Sequence, residues 1–521
     1  MEKSAARSRT RSRGGRANKR SLDMVKSPHL HVPFIERGIP AYDILGEEGL
    51  EKIDATAERI MAEIGLEFRD DPETVRIFEA AGAKATHVSG ENWNVKFEPG
   101  MIKEILKTAP ARFTQHARNP KNNVDIGGTA MCLAPSYGSP FVMDLDHGRR
   151  YGTIKDFENF VKLAQSSPWL HHSGGTICEP TDIPVNKRHL DMVYAHMKYS
   201  DRAFLGSITA PERAADSIEM ARILFGEDYV ANNCVIMGNF NSTSPLVWDG
   251  VTTKGIREYA QAGQGSIHLP FLLGGAVSPV TAAGSLAQML AETLTGCALT
   301  QLVNPGAPTV MASFQVTLDL RSGSPTFGTP EAALGTLGAC QLARKYNLPI
   351  RAGGNFVNSK LPDAQAMQQG MMSMMSALQG GANYILHSAG FLDGLLSMSY
   401  EKFMMDLNIC GAAHAYLKGF GTSEDDLAFD ALAEYGPGEH MFGGAHTLRH
   451  YETAYWDSEL DDYQPWETWD EQGGIDNATR ANQAWKKSLE TYKAPPLDIA
   501  KDEELRAYMA QKKASMEDAW Y

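Results

Sequence analysis

At 521 residues and 43% hydrophobic, the chain is long enough for one large core with extensions and too short for two independent barrels. Its formal charge of −14 hides an asymmetry: residues 1–26 hold nine Lys/Arg and two Asp/Glu, which leaves 40 basic against 61 acidic residues in the remainder. Such an acidic body excludes nucleic acid as its ligand, because phosphate neutralisation needs clustered Lys/Arg. No run approaches the roughly 18 apolar residues of a spanning helix, and no apolar signal segment opens the chain, so no membrane partner and a cytoplasmic location are expected.

The basic tail, residues 1–26, contains RSRTRSRGGRANKR, almost without apolar residues, and is expected to be disordered. Residues 27–165 read as an N-terminal cap of helices and β-hairpins. In it Leu50, Ile53, Ala57, Ile60, Met61 and Ile64 keep helical spacing over Glu47 to Gly65, and Gly65 stands where that helix must stop. Asp71-Pro72 opens a second helix that ends at Gly82, and a third lies between Pro99 and Pro110. From Arg112 to Tyr151 short alternating runs are broken by Asn119-Pro120, Gly127-Gly128 and Asp146-His147-Gly148, the pattern of antiparallel hairpins.

Residues 166–420 repeat one phrase: a short apolar run, small or amide residues, then a helical stretch. The runs are 172–178, 203–208, 235–241, 269–276, 309–315, 350–355 and 384–388. The intervening helices are expected over 186–199, 211–225, 250–262, 282–302, 331–345 and 362–379. Strands separated by helices pair in parallel, since a parallel return needs a long crossover. Seven such units predict an α/β fold, a (β/α)₈ TIM barrel, with Ala134 to Val142 (APSYGSPFV) as the eighth strand. The crowded Met367, Met371, Met372, Met374 and Met375 read as packing. Residues 421–521 form an acidic, Trp-rich C-terminal extension that either wraps the barrel or makes a subunit contact, which raises the expectation of a homo-oligomer.

In a TIM barrel the C-terminal strand ends build the active site. Here they carry Gly175, Ser207, Asn239, Asn241, Gly275, Gln315, Asn355 and His387, a floor rich in amides and poor in charge. Amide side chains can hold a carboxylate or carbonyl without adding net charge. Tyr137, Trp248, Phe314 and Phe356 supply aromatic rings, whose faces attract a quaternary ammonium that has no hydrogen to donate. The six cysteines lack CxxC spacing and read as buried free thiols. Nucleotide-binding, metalloprotease and serine-hydrolase motifs are absent. His440, His446 and His450 give H-x5-H-x3-H but no partner carboxylate is visible in sequence, so no metal is assigned. Lys360, the one lysine near a strand end that an aldolase-like reading would use, sits in a polar loop.

Six stretches together resemble the trimethylamine methyltransferase family along about residues 30 to 510: APSYGSPF (134–141), GNFNSTSP (238–245), GGAVSPVT (274–281), FGTPE (327–331), ILHSAG (385–390) and GGAHTLR (443–449). The tail with Trp485, Lys487 and YKAPPLD (492–498) is similar as well. The resemblance implies a barrel that passes a methyl group from an amine to the cobalt of a corrinoid (cobalamin) carried on a separate protein that docks over the barrel mouth. Archaeal family members acting on trimethylamine contain pyrrolysine, whereas this chain contains only ordinary residues, and by position the corresponding strand is expected near 351–359 (RAGGNFVNS). A tertiary amine must be activated before it loses a methyl group. A quaternary one already carries the charge and leaves neutral, so no acid, base or other catalytic residue is assigned and the work is positioning. Glycine betaine is the expected substrate and dimethylglycine the product, with carnitine, proline betaine or trimethylamine, or a betaine-binding barrel without turnover, as alternatives. Asn239 and His387 are expected at the carboxylate, Tyr137, Phe314 and Phe356 around the trimethylammonium, and Gln315, Asn355 and Asn241 as further polar contacts.

Overall fold

Short apolar runs bounded by glycine and asparagine form the sheet that organises the molecule, here a computed structural model that describes residues 30–520. The expected disorder of residues 1–26 lies outside the described residues. Seven strands, β1 (Ala130–Leu133), β2 (Phe204–Leu205), β3 (Ile236–Ser242), β4 (Gly265–Leu273), β5 (Thr309–Ala312), β6 (Ile350–Gly353) and β7 (Tyr384–Leu386), pair in parallel in the order β2-β3-β4-β5-β6-β7-β1. The register runs through Asn239 beside Ile267, Ile267 beside Val310, Met311 beside Ile350, Ala352 beside Ile385 and Ile385 beside Leu133. Between β1 and β2 lies an extended segment, not a regular strand. There His171 N donates to Leu133 O (3.1 Å), Ser173 N to Ala203 O (2.9 Å) and Leu205 N to Gly174 O (2.8 Å).

Two expectations change. The partner of β7 is Ala130–Leu133, just ahead of the 134–142 stretch, because Pro135 and Pro140 remove ladder donors there. Phe141–Asp144 instead pairs with Gly148–Tyr151 in a separate four-stranded sheet. The 172–178 run contributes only isolated bridges, His172 to Ala203 and Cys178 to Ser139, since Gly174 and Gly175 interrupt it.

The helices agree closely with their apolar spacing: Arg188–Tyr199, Pro211–Phe225, Gly250–Gln261, Ala282–Val303, Pro330–Lys345 and Ala364–Gly380. Pro211 and Pro330 occupy first turns, where the missing N–H is no loss. Two long helices were not foreseen: Ile154–Ser166, started by a Thr153–Asp156 capping box, and Tyr400–Lys418, capped by Ser399. All six cysteines are buried free thiols. Among the described residues no helix is long and apolar enough to cross a membrane.

Period-two alternation splits the core at the sheet. Met131, Phe204, Ile236, Met311, Ala352 and Ile385 pack outward against the helices. Cys132, Leu205, Met237, Val310, Ala312, Tyr384 and Leu386 pack inward. The helix Ala282–Val303 is buried nearly all round. Its Glu292, wholly buried, receives hydrogen bonds from Ser242 Oγ (2.5 Å), Ser244 Oγ (2.7 Å), Leu246 N (2.9 Å) and Gln288 Nε2 (2.8 Å). One carboxyl group therefore fixes the loop after β3. Glu292→Ala strands these donors in a dry interior and is expected to lower stability by roughly 3 kcal/mol or more, read as a fall in the urea midpoint; an unchanged midpoint would show that the loop does not depend on it.

Candidate functional site

Alternation along β6 sends Ile350 and Ala352 toward the helices and Arg351 into the sheet's interior. Arg351 is 1% exposed. Its Nη1 donates to Ser313 O at 3.3 Å, its Nε has no acceptor, and its guanidinium carbon lies 5.3 Å from the centre of the Phe314 ring. The ionisable groups that act on it as opposite charges are Tyr384 and Tyr137, and neither is a carboxylate. Burial pulls the guanidinium down to about 9, so it stays protonated at neutral pH. A buried cation normally has an anionic partner, because leaving it alone costs several kcal/mol.

Aromatic rings gather beside this charge. Phe314, at the start of the strand Phe314–Asp319, lies 4.8 Å from Phe356 and 5.9 Å, stacked, from His387. Phe356 is 5.1 Å from both His387 and Phe391, and Phe327 is 5.5 Å from Phe356. Gly353 makes room for this: a Cβ there would fall 1.7 Å from the Phe356 ring. Tyr137 stands at the same place, its backbone N–H donating to His387 Nδ1 at 3.3 Å, and burial raises its hydroxyl to about 12.

His387 is buried and holds φ +62°, a left-handed backbone that costs a non-glycine residue about 1–2 kcal/mol. Its loop is clamped to keep that conformation. Asn355 N donates to His387 O (2.8 Å), Asn355 Nδ2 to Ser388 O (2.6 Å) and Gly390 N to Asp406 Oδ2 (2.9 Å), while Asp406 pairs with Lys402 in a fully buried ion pair. Because Nδ1 accepts the Tyr137 N–H, the neutral ring carries its proton on Nε2. Burial, with the nearby Arg351 charge, holds the imidazole well below its ordinary range.

Of the residues expected from sequence, Tyr137, Phe314, Phe356 and His387 come together. Asn239 and Asn241 share one face of β3, 3.4 Å apart through Asn239 Nδ2 and Asn241 Oδ1, with Asn239 Oδ1 buried and accepting nothing. Asn355 serves the His387 loop from behind. Gln315 is turned away from the rings: a Cβ on Gly335 would meet its Oε1, which places it against the helix Pro330–Lys345. Trp248 likewise belongs to the outer core, edge-on to His268. Lys360 is exposed and bonds Asn358 O (2.7 Å). The histidine run does have a carboxylate neighbour: Asp425 accepts from His450 (2.7 Å) and Arg449 (2.5 Å), and its backbone oxygen lies 2.9 Å from His446 Nε2. Arg351, Tyr384, Phe327 and Phe391 were missed, although Arg351 was readable as the one charged residue in an apolar strand.

A model of trimethylamine methyltransferase matches residues 9–517. The chain belongs to the trimethylamine methyltransferase family. It is 41% identical over 475 residues to the glycine betaine methyltransferase of Desulfitobacterium hafniense (strain Y51), covering 91% of this chain and 98% of that one. With the proline betaine:corrinoid methyltransferase of Eubacterium limosum it shares 27% identity over 87% and 94% of the two chains. The crystal structure of the Methanosarcina barkeri monomethylamine methyltransferase superposes with a TM-score of 0.51 at 11% identity, covering 88% of this chain and 90% of that one, a likeness of fold.

The family member keeps several imidazoles neutral by burial. His196 is lowered to about 4, His268 to about 3 and His414 to about 4. Between those values and the ordinary 6.5 the unfolded chain binds more protons than the folded one, so the stability they contribute is complete above about 6.5 and is lost as pH falls toward 4. The melting temperature is expected to fall steadily from pH 7 to pH 5; a flat profile would contradict the neutral, buried assignment.

Proposed function

We propose that this methyltransferase moves a methyl group from glycine betaine to the Co(I) of a corrinoid carried on a separate protein, releasing dimethylglycine. The parallel order of β1 to β7, the hydrogen-bonded 171–174 segment and the likeness to a methylamine methyltransferase support reading the sheet as a (β/α)₈ barrel, with 171–174 as its second strand and His387 and Tyr137 at the mouth. The observation that carries the substrate is Arg351: a buried cation without a carboxylate, beside rings that suit a second, quaternary cation. Glycine betaine has both complements, a carboxylate for Arg351 and a trimethylammonium for Phe314, Phe356 and Tyr137. Trimethylamine has no anion to offer. The 41% identical relative is named for glycine betaine.

The residues then act by placement. Arg351 anchors the carboxylate, with the Nε2–H of neutral His387 as a second donor, so that Arg351 takes the place expected for Asn239 beside His387. The rings exclude water and hold the ammonium by their faces, so one N-methyl is presented outward. As the C–N bond breaks, its electron pair stays on nitrogen, and the product is a neutral amine that no residue has to protonate. The rim fits an incoming corrinoid face: Asn241 is exposed and uncharged, and Asn239 Oδ1 is an unused acceptor beside it. When bound, the corrinoid supplies the Co(I) electron pair that takes the methyl group.

Purified protein, cob(I)alamin and a panel of glycine betaine, carnitine, proline betaine and trimethylamine test this, with demethylated product measured. Dimethylglycine from glycine betaine alone is the expected result. Turnover of trimethylamine in preference would overturn it, and betaine binding without product even with a corrinoid protein would mark a binding barrel. In the same assay Arg351→Gln is expected to raise KM for glycine betaine at least ~30-fold, the loss of about 2 kcal/mol from a charge-assisted contact, with a smaller change in kcat; an unchanged KM would remove Arg351 from the carboxylate.

A further inference from the structure

Residues 419–455 leave the end of the helix Tyr400–Lys418 and form an arm with three short helices, Glu424–Leu427, Phe429–Tyr435 and Ala445–His450. Only Ala431 and Gly444 of the arm are buried. Helices this short do not hold themselves in water, and so little burial gives them almost no hydrophobic support. Small segments of this kind are stapled by disulfides or metals, and the arm contains no cysteine. What ties its two ends together is polar. The helix Ala445–His450 puts His446 and His450 one turn apart on one face, with ring centres 4.5 Å from each other. Both rings meet Asp425 in the first helix: His450 Nε2 lies 2.7 Å from its Oδ2, and His446 Nε2 lies 2.9 Å from its backbone oxygen. One ligand atom from each of the three residues lies within 4.8 Å of the other two. Zinc bonds of about 2.0–2.2 Å at a tetrahedral angle set neighbouring ligand atoms about 3.4 Å apart, so closing on an ion takes shifts of about 1 Å in partly exposed side chains.

From this we infer that Asp425, His446 and His450 form a divalent-metal site, suited to zinc, that staples the first helix of the arm to the last. Two imidazoles and a carboxylate without a thiolate are a ligand set that zinc accepts in tetrahedral form, with water in the fourth place. Each ring then carries its proton on the nitrogen turned away from the ion. The local charge favours a cation: the arm holds seven Asp/Glu against Arg449 alone. Arg449 already donates to Asp425 Oδ1, so charge pairing at that carboxylate does not by itself call for two imidazoles as well. The arm leads into Trp456, which shares a groove with Pro362, Asp363 and Ala364 at the start of the helix Ala364–Gly380. The staple therefore fixes chain that borders the loop after β6. A second cluster, Asp144, Asp146 and His147, is already spent: Asp144 accepts the N–H groups of its own turn and pairs with Arg150, and Asp146 pairs with Lys486.

Calorimetric titration of the untagged full chain with zinc chloride, after treatment with a chelator, decides this. Wild type is expected to bind one equivalent. His446→Gln/His450→Gln is expected to weaken binding at least ~100-fold and the near-isosteric Asp425→Asn at least ~10-fold, each with unchanged circular dichroism, whereas His147→Gln leaves it as in wild type. Trypsin reads the staple separately: zinc at about 100 times its Kd should slow cleavage after Arg449 at least ~10-fold in wild type and leave the double variant's rate unchanged. No binding by wild type, binding that survives the double substitution, or a loss on His147→Gln instead would each overturn the inference.

Discussion

A positive charge sealed inside a sheet without a negative one constrains everything around it. Ser313 O and the face of Phe314 are what the Arg351 guanidinium meets. On the proposed reading the substrate brings the anion, and an apolar, ring-lined interior makes that anion's contribution large because little water competes for it. The same rings that tolerate one cation can enclose the positive end of a zwitterion. On that reading one arginine and a set of neutral rings meet two opposite requirements, a cation for the carboxylate and no acid near the ammonium.

The surroundings keep that arrangement stiff. His387 is held in an unfavourable backbone conformation by bonds from Asn355 and by a loop anchored on the buried Lys402–Asp406 pair. At the C-terminal end of β3, Glu292 fixes the loop that follows Asn239 and Asn241. Neither carboxyl group touches the candidate substrate position. Both spend buried polar contacts on geometry, which is what a reaction limited by orientation needs.

Much of the fold was legible because the apolar runs and helical spacings are regular: six expected helices fall within three residues of their sequence bounds. The eighth strand was misplaced because APSYGSPFV looks extended but carries prolines that cannot ladder. In the site, His387, Phe314, Phe356 and Tyr137 could be found from their position after apolar runs. Gln315 could not be excluded, since neighbouring residues on a strand face opposite ways and the register was unknown. Arg351 sits within a strand and not at its end, and its signal in the sequence is one charge at an inward position between Ile350 and Ala352. Partners far apart in sequence, such as Glu292 with Ser242 or Asp425 with His450, leave no local trace.

The most direct test of the charge-and-rings account is calorimetric titration of the protein with glycine betaine and with choline, which keeps the trimethylammonium but replaces the carboxylate with a hydroxyl. Binding of glycine betaine with choline at least ~30-fold weaker, the equivalent of about 2 kcal/mol, is the expected result. Equal affinity for the two would mean that Arg351 does not hold an anion, and the account would fail.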